Sequence, residues 1–124
     1  STALFKQNVQ ELWRFMDEDG RDPSSFVISK RVYIAVDDDE SRAERRLREW
    51  FSPRYRTFSQ GSSRMMNPDL VSNVSIWGKA DKCTELLAEV VEAGASLILL
   101  DRVFDIDEHL NCFAEEIVPK LVNL

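Results

Sequence analysis

Apolar positions recur along this chain with two periods, one helical and one extended. In residues 4–16, Phe5, Val9, Leu12, Trp13 and Met16 fall on one helical stripe, which predicts an amphipathic helix. The run 17–23, DEDGRDP, stops it, because Gly20 and Pro23 both break a helix. Residues 26–36 are rich in β-branched and aromatic side chains and predict a strand. One of its faces holds Ile28, Val32, Ile34 and Val36, with Lys30 as the only polar member, while Ser29, Arg31, Tyr33 and Ala35 share the other. A second helix follows, with Ala43, Leu47, Trp50 and Phe51 facing inward. Residues 74–77 predict a brief extended piece leading to Gly78. Cys83, Leu86, Leu87, Val90 and Val91 make the apolar face of a third helix, which Gly94 ends by supplying a positive φ. Residues 96–100 form an apolar run without polar alternation, expected to be a strand covered on both faces. Leu110, Phe113, Ala114, Ile117 and Leu121 define a last helix, with Pro119 marking its end.

The organising stretch is residues 78–105. Helix, glycine turn, buried strand and acidic loop make the αβ unit of a parallel sheet. Such proteins place their chemistry at the C-terminal ends of the strands. With 124 residues, the whole of 1–124 is expected to be a single α/β segment with two strands.

Composition narrows the function classes. A net charge of −6 argues against a nucleic-acid surface, which needs a basic stripe. No apolar run approaches the ~20 residues of a membrane helix, and no signal-peptide pattern opens the chain, so a cytoplasmic protein is expected. Two cysteines, one on an apolar helical face, read as reduced thiols, with a disulfide or redox pair as the alternative.

Candidate chemistry is sparse. Residues 37–40 are four consecutive acids before a helix, where carboxylates cap the free amides and complement the dipole; a hard-cation site is the competing reading. Arg42, Arg45, Arg46 and Arg48 follow in the order a helix prefers and read as a solvated face. Arg31 and Tyr33 leave two readings open, a barrel lumen near an active site or a solvated edge. The irregular stretch 52–75 offers Tyr55, Arg56, Arg64, Met65 and Met66 as pocket residues, against a plain surface loop. His109 lies off the last helical stripe without a visible orienting partner, so no acid–base role is assigned to it. There is no glycine-rich phosphate loop, no metal-spaced Cys or His set and no nucleophile elbow.

Several segments together resemble a known family. Gly20-Arg21-Asp22-Pro23 leads into a strand ending Val32-Tyr33-Ile34-Ala35-Val36-Asp37. Trp77-Gly78 precedes a helix, Glu92-Ala93-Gly94-Ala95 precedes an apolar strand, and Val103-Phe104-Asp105 precedes a helix ending Glu115-Glu116-Ile117-Val118-Pro119-Lys120-Leu121. Their order and spacing, over residues 15–121, resemble the later part of luciferase-like, flavin-dependent monooxygenases. The chain departs from that pattern after Gly78, where Lys79-Ala80 stand in place of a capping Ser or Thr and a Pro, and Asp81 is expected to take over some of the capping.

The resemblance implies a (β/α)8 barrel that uses FMN, or a deazaflavin in some branches, to oxidise a small organic substrate. A barrel typically takes about 250 residues, so the chain would be the C-terminal portion of a TIM barrel, incomplete and with its last two strands. The intact parent would be the enzyme, and this piece alone would be inactive and without a cofactor of its own. Position at the strand ends singles out Asp37, Asp38, Asp101, Arg102 and Phe104 as pocket residues, with Arg31 and Tyr33 toward the lumen. Arg102 would hold an anionic group and Phe104 an apolar wall. No metal, nucleic acid or membrane partner is expected. Open strand edges predict a homo-oligomer. The alternative is a free-standing small α/β interaction module without catalytic activity.

Overall fold

A computed structural model describes residues 1–58 and 70–122, with side chains described for 1–52 and 71–122. The elements are α1 (Thr2–Glu18), a short 3-10 turn (Pro23–Ser25), β1 (Ser29–Val36), α2 (Glu40–Phe58), α3 (Leu70–Val74), β2 (Ser75–Gly78), α4 (Ala80–Glu92), β3 (Leu97–Arg102), α5 (Ile106–Cys112), a π-turn (Phe113–Ile117) and α6 (Val118–Leu121).

The three strands form one parallel sheet in the order β2-β1-β3. Its register pairs Tyr33 with Ser75 on one side and with Asp101 on the other. Parallel neighbours need crossovers, and here the two run in opposite directions: α2 leads from β1 out to β2, and α4 leads back across β1 to β3. Helices therefore cover both faces. On one face Val32, Ile34 and Ile76 pack with Cys83, Leu87, Val90, Phe113 and Ile117. On the other, Ala35 packs with Ala43, Leu47, Phe51 and Val71, flanked by Tyr33, Trp50 and Trp77.

The chain is thus α/β, as its periodicities predict, but with three strands among the described residues and not two. The third is the extended piece before Gly78, four residues long. The strand order is that of an open, doubly wound sheet; a barrel places strands side by side in chain order, with helices on the outer face.

Local chemistry explains the element ends. Ser1 Oγ accepts from the Leu4 amide and caps α1. Asp22 Oδ1 accepts from the Ser24 amide and holds the turn that leads to β1. At Gly94, φ is +106°, and a Cβ there would meet Val9 Cγ1 at 2.6 Å, so α1 lies directly against the turn between α4 and β3. Pro119 does not end the last helix. The chain widens into a π-turn, the Val118 amide bonds Phe113 O, and the helix continues to Leu121.

Two further expectations are corrected. β3 is not covered on both faces: Ile98 and Leu100 pack inward, but Leu97 and Leu99 are 46% and 44% exposed. The reason is that α2 packs over β1 and β2, so the β3 half of that face stays open. The stretch 52–75 is also less irregular than expected, since α2 runs through Pro53 to Phe58 and α3 starts at Leu70. Arg64, Met65 and Met66 lie outside the described residues.

Candidate functional site at the strand ends

In an open α/β sheet, the crevice for a ligand opens outside the carboxyl ends of the strands, where the connections from two neighbouring strands run in opposite directions along the sheet. Here that point lies between β1, which leads to α2, and β3, which leads to α5 on the α4 side. The loops meeting there are 37–39 and 103–105.

The β1 loop is built by its own acids. Asp39 Oδ1 accepts from the Arg42 amide at 3.0 Å, which caps α2 as the sequence predicts. Asp37 takes a two-point grip from Arg42, with Nε at 2.7 Å and Nη2 at 2.6 Å. That hydrogen bonding holds the Asp37 carboxyl below its ordinary range and raises the Arg42 guanidinium. The Asp37 amide donates to Gly78 O at 2.9 Å, joining the ends of β1 and β2.

The β3 loop is clamped from α2. Arg46 Nη1 contacts Asp105 Oδ2 at 2.5 Å, and its guanidinium lies 3.8 Å from the centre of the Phe104 ring. The bond to Arg46 lowers the Asp105 carboxyl. Asp105 holds a left-handed backbone, φ +47°, at the start of α5. Arg46 is therefore no part of a solvated face; it ties helix to loop.

His109, which the sequence leaves without a visible partner, completes the site. Its side chain is almost fully buried, at 3% exposure. Nε2 accepts from the Val36 amide at 3.0 Å and Nδ1 meets Asp105 O at 2.9 Å, so both nitrogens are engaged by backbone. Its ring stands edge-on to Phe104 and Phe113. The Asp105–His109 spacing of one helical turn is the only trace of this in the sequence.

Beside His109 opens a cavity of about 220 Å³, lined by Val36, Asp37, Asp38, Ala80, Glu108, Cys112 and Glu116. Its charged lining is wholly acidic. The Cys112 thiol is pushed up by burial and by Glu116, so it is no ready thiolate nucleophile. Among the described residues no group of three or more His, Cys, Asp or Glu is placed to hold a metal ion.

The sequence-nominated residues separate into two sets. Asp37, Asp38 and Phe104 come together around His109. Arg31 and Asp101 lie elsewhere on the sheet, paired at 3.4 Å, with the Arg31 side chain 61% exposed. Tyr33 is built into an aromatic cluster, 5.6 Å from Trp50 and 5.0 Å from Phe51 between ring centres. Arg102 is exposed at the end of β3. Asp81 does not cap α4: Lys79 stands at its cap without a side-chain bond, and Asp81 Oδ1 accepts from Lys120 Nζ at 2.6 Å. No helix among the described residues is long and apolar enough to cross a membrane. No family model matches this chain, and no curated protein matches it.

Proposed function

We propose that the chain is the C-terminal segment of a luciferase-like, flavin-dependent oxidoreductase of the cytoplasm, whose intact parent oxidises a small organic substrate. What supports the reading is the gathering of Asp37, Asp38 and Phe104 at the C-terminal ends of parallel strands, where α/β enzymes place their chemistry, together with the family-like segments from 15 to 121. Among the described residues the outer edges of β2 and β3 pair with no further strand, which leaves the sheet open to further strands or to a second copy, and we include homo-oligomerisation in the proposal.

The residues present do not fit a flavin by themselves. The strand-end cavity, at about 220 Å³, is smaller than the roughly 300 Å³ at which pockets for such ligands begin. Its carboxylates would repel a flavin phosphate. The turn at Gly78 is also filled, since a Cβ there would meet Lys82 Cδ at 3.0 Å and Glu40 at 3.4 Å. Neither FMN nor a deazaflavin is therefore assigned to this segment, and in the parent the cofactor would be held by residues elsewhere.

One observation favours the second reading, a free-standing α/β interaction module. The order β2-β1-β3 with helices on both faces is that of a doubly wound sheet. The mass of the native polypeptide in source cells, detected with an antibody against this chain, separates the two. A band at least about twice this length, retained on immobilised FMN, supports the enzyme segment. A band of this length with no flavin retention sinks it and leaves the module.

A further inference from the structure

A second cavity, also of about 220 Å³, lies beside β2 on the α4 side, away from the acidic crevice. Its apolar wall includes Val32, Leu86 and Val90, and two lysines, Lys30 and Lys82, reach its lining. In a chain carrying 22 Asp and Glu against 16 Lys and Arg, no carboxylate side chain among the described residues lines it. Lys82 is neutralised by Glu40 at 2.6 Å. Lys30 is not: it is half-buried, makes no ion pair among the described residues, and its ammonium lies 4.9 Å from the centre of the Phe5 ring. Burial without a counter-ion lowers the Lys30 ammonium from its ordinary range.

We propose that this cavity binds a small amphipathic carboxylate, with the anion at Lys30 and the hydrocarbon body against Val32, Leu86 and Val90. The charge logic is direct. A half-buried ammonium above an apolar floor gains a partner that the fold does not provide, and charge-assisted bonds are the strong ones. The volume suits a short-chain or aromatic acid. This site is separate from the strand-end crevice and stands or falls without the enzyme reading.

The probe is hexanoate, titrated into the 15N-labelled chain, with hexan-1-ol and hexylammonium as neutral and cationic counterparts. Hexanoate is expected to shift the amide signals of Val32, Ile76 and Leu86 saturably and to bind about tenfold more tightly than either counterpart. Lys30→Gln is expected to lose about tenfold for hexanoate and nothing for hexanol, whereas Lys30→Arg keeps the preference. Leu86→Trp, which fills the cavity and leaves Lys30 in place, is expected to abolish binding of all three. Shifts absent or spread evenly over the molecule, equal affinity for the three probes, or an unchanged affinity in Lys30→Gln would each overturn the proposal.

Discussion

His109 Nε2 accepts the amide hydrogen of Val36 at 3.0 Å, tying α5 to the last residue of β1. Since that nitrogen accepts, the ring proton sits on Nδ1 and is donated to Asp105 O at 2.9 Å. A buried imidazole with both nitrogens held by backbone is a strut between strand end and helix. It has no lone pair left for a substrate proton.

Removing that strut is expected to be costly. His109→Ala should destabilise by about 3 kcal/mol, from an unmet buried amide at Val36 plus a cavity. His109→Phe refills the space without restoring the acceptor and should keep a loss of about 1–3 kcal/mol. Urea unfolding of the three proteins measures both. A Phe variant as stable as the parent would show that the Val36 bond adds nothing.

The Asp37–Arg42 grip makes an acid-limb prediction. Arg42 lowers the Asp37 carboxyl below its ordinary value of 3.8 in the folded chain. A depressed folded value contributes stability that is present in full above the unfolded value and lost as pH falls through the folded one. Arg42→Gln should return the Asp37 titration toward 3.8 and flatten the loss of stability below that pH. Carboxyl carbon shifts in an NMR titration report the first effect, and urea midpoints at a series of acid pH values report the second. An Asp37 titration unmoved by the substitution would mean the pair is not formed in solution.

How far the sequence carries is clearest from residues such as these. The stripes through Val9 and Met16 and through Cys83, Leu87 and Val90 are buried as their spacing predicts, because side-chain period and burial are the same physics on a helix. Asp39 caps α2 for an equally local reason. What escapes is what depends on distant backbone. The partner of His109 is an amide 73 residues away, and an amide has no sequence signature. Arg46 reads as one more solvated arginine because Asp105 lies 59 residues downstream. The open face of β3 depends on strand order, which periodicity within each segment does not encode.

Gly94 tests the seat of α1. Its φ of +106° suits glycine alone, and an added Cβ would stand 2.6 Å from Val9 Cγ1. Gly94→Ala should therefore cost more than about 1 kcal/mol. Val9→Ala removes the clashing methyl groups but not the backbone strain, so the double variant should lose less than the sum of the singles yet remain below Val9→Ala alone. Additive losses in denaturant would mean that the two residues are not in contact.

The thiols should differ in reactivity. Cys83 is fully buried, its Sγ lies 3.5 Å from Gly78 O, and burial pushes its thiol up to about 12. Cys112 is only partly buried. Iodoacetamide at neutral pH should label Cys112 slowly and Cys83 only after unfolding, with peptide mass spectrometry as the readout. Native labelling of Cys83 ahead of Cys112 would contradict the packing of α4 against β1 and β2.

The edge of β3 carries the last prediction, which tests the oligomer. Among the described residues β3 pairs only with β1, and it shows Leu97 and Leu99 to solvent. An unpaired strand edge beside exposed apolar side chains is a template for pairing, and a charge on the strand is how proteins block it. Light scattering should find the chain as a dimer or larger at high concentration, and Leu99→Lys should shift it to monomer. Because Leu99 is already 44% exposed, the substitution should change monomer stability by no more than about 0.5 kcal/mol. A wild-type chain that stays a compact monomer at high concentration would remove the β3 edge as a contact between copies.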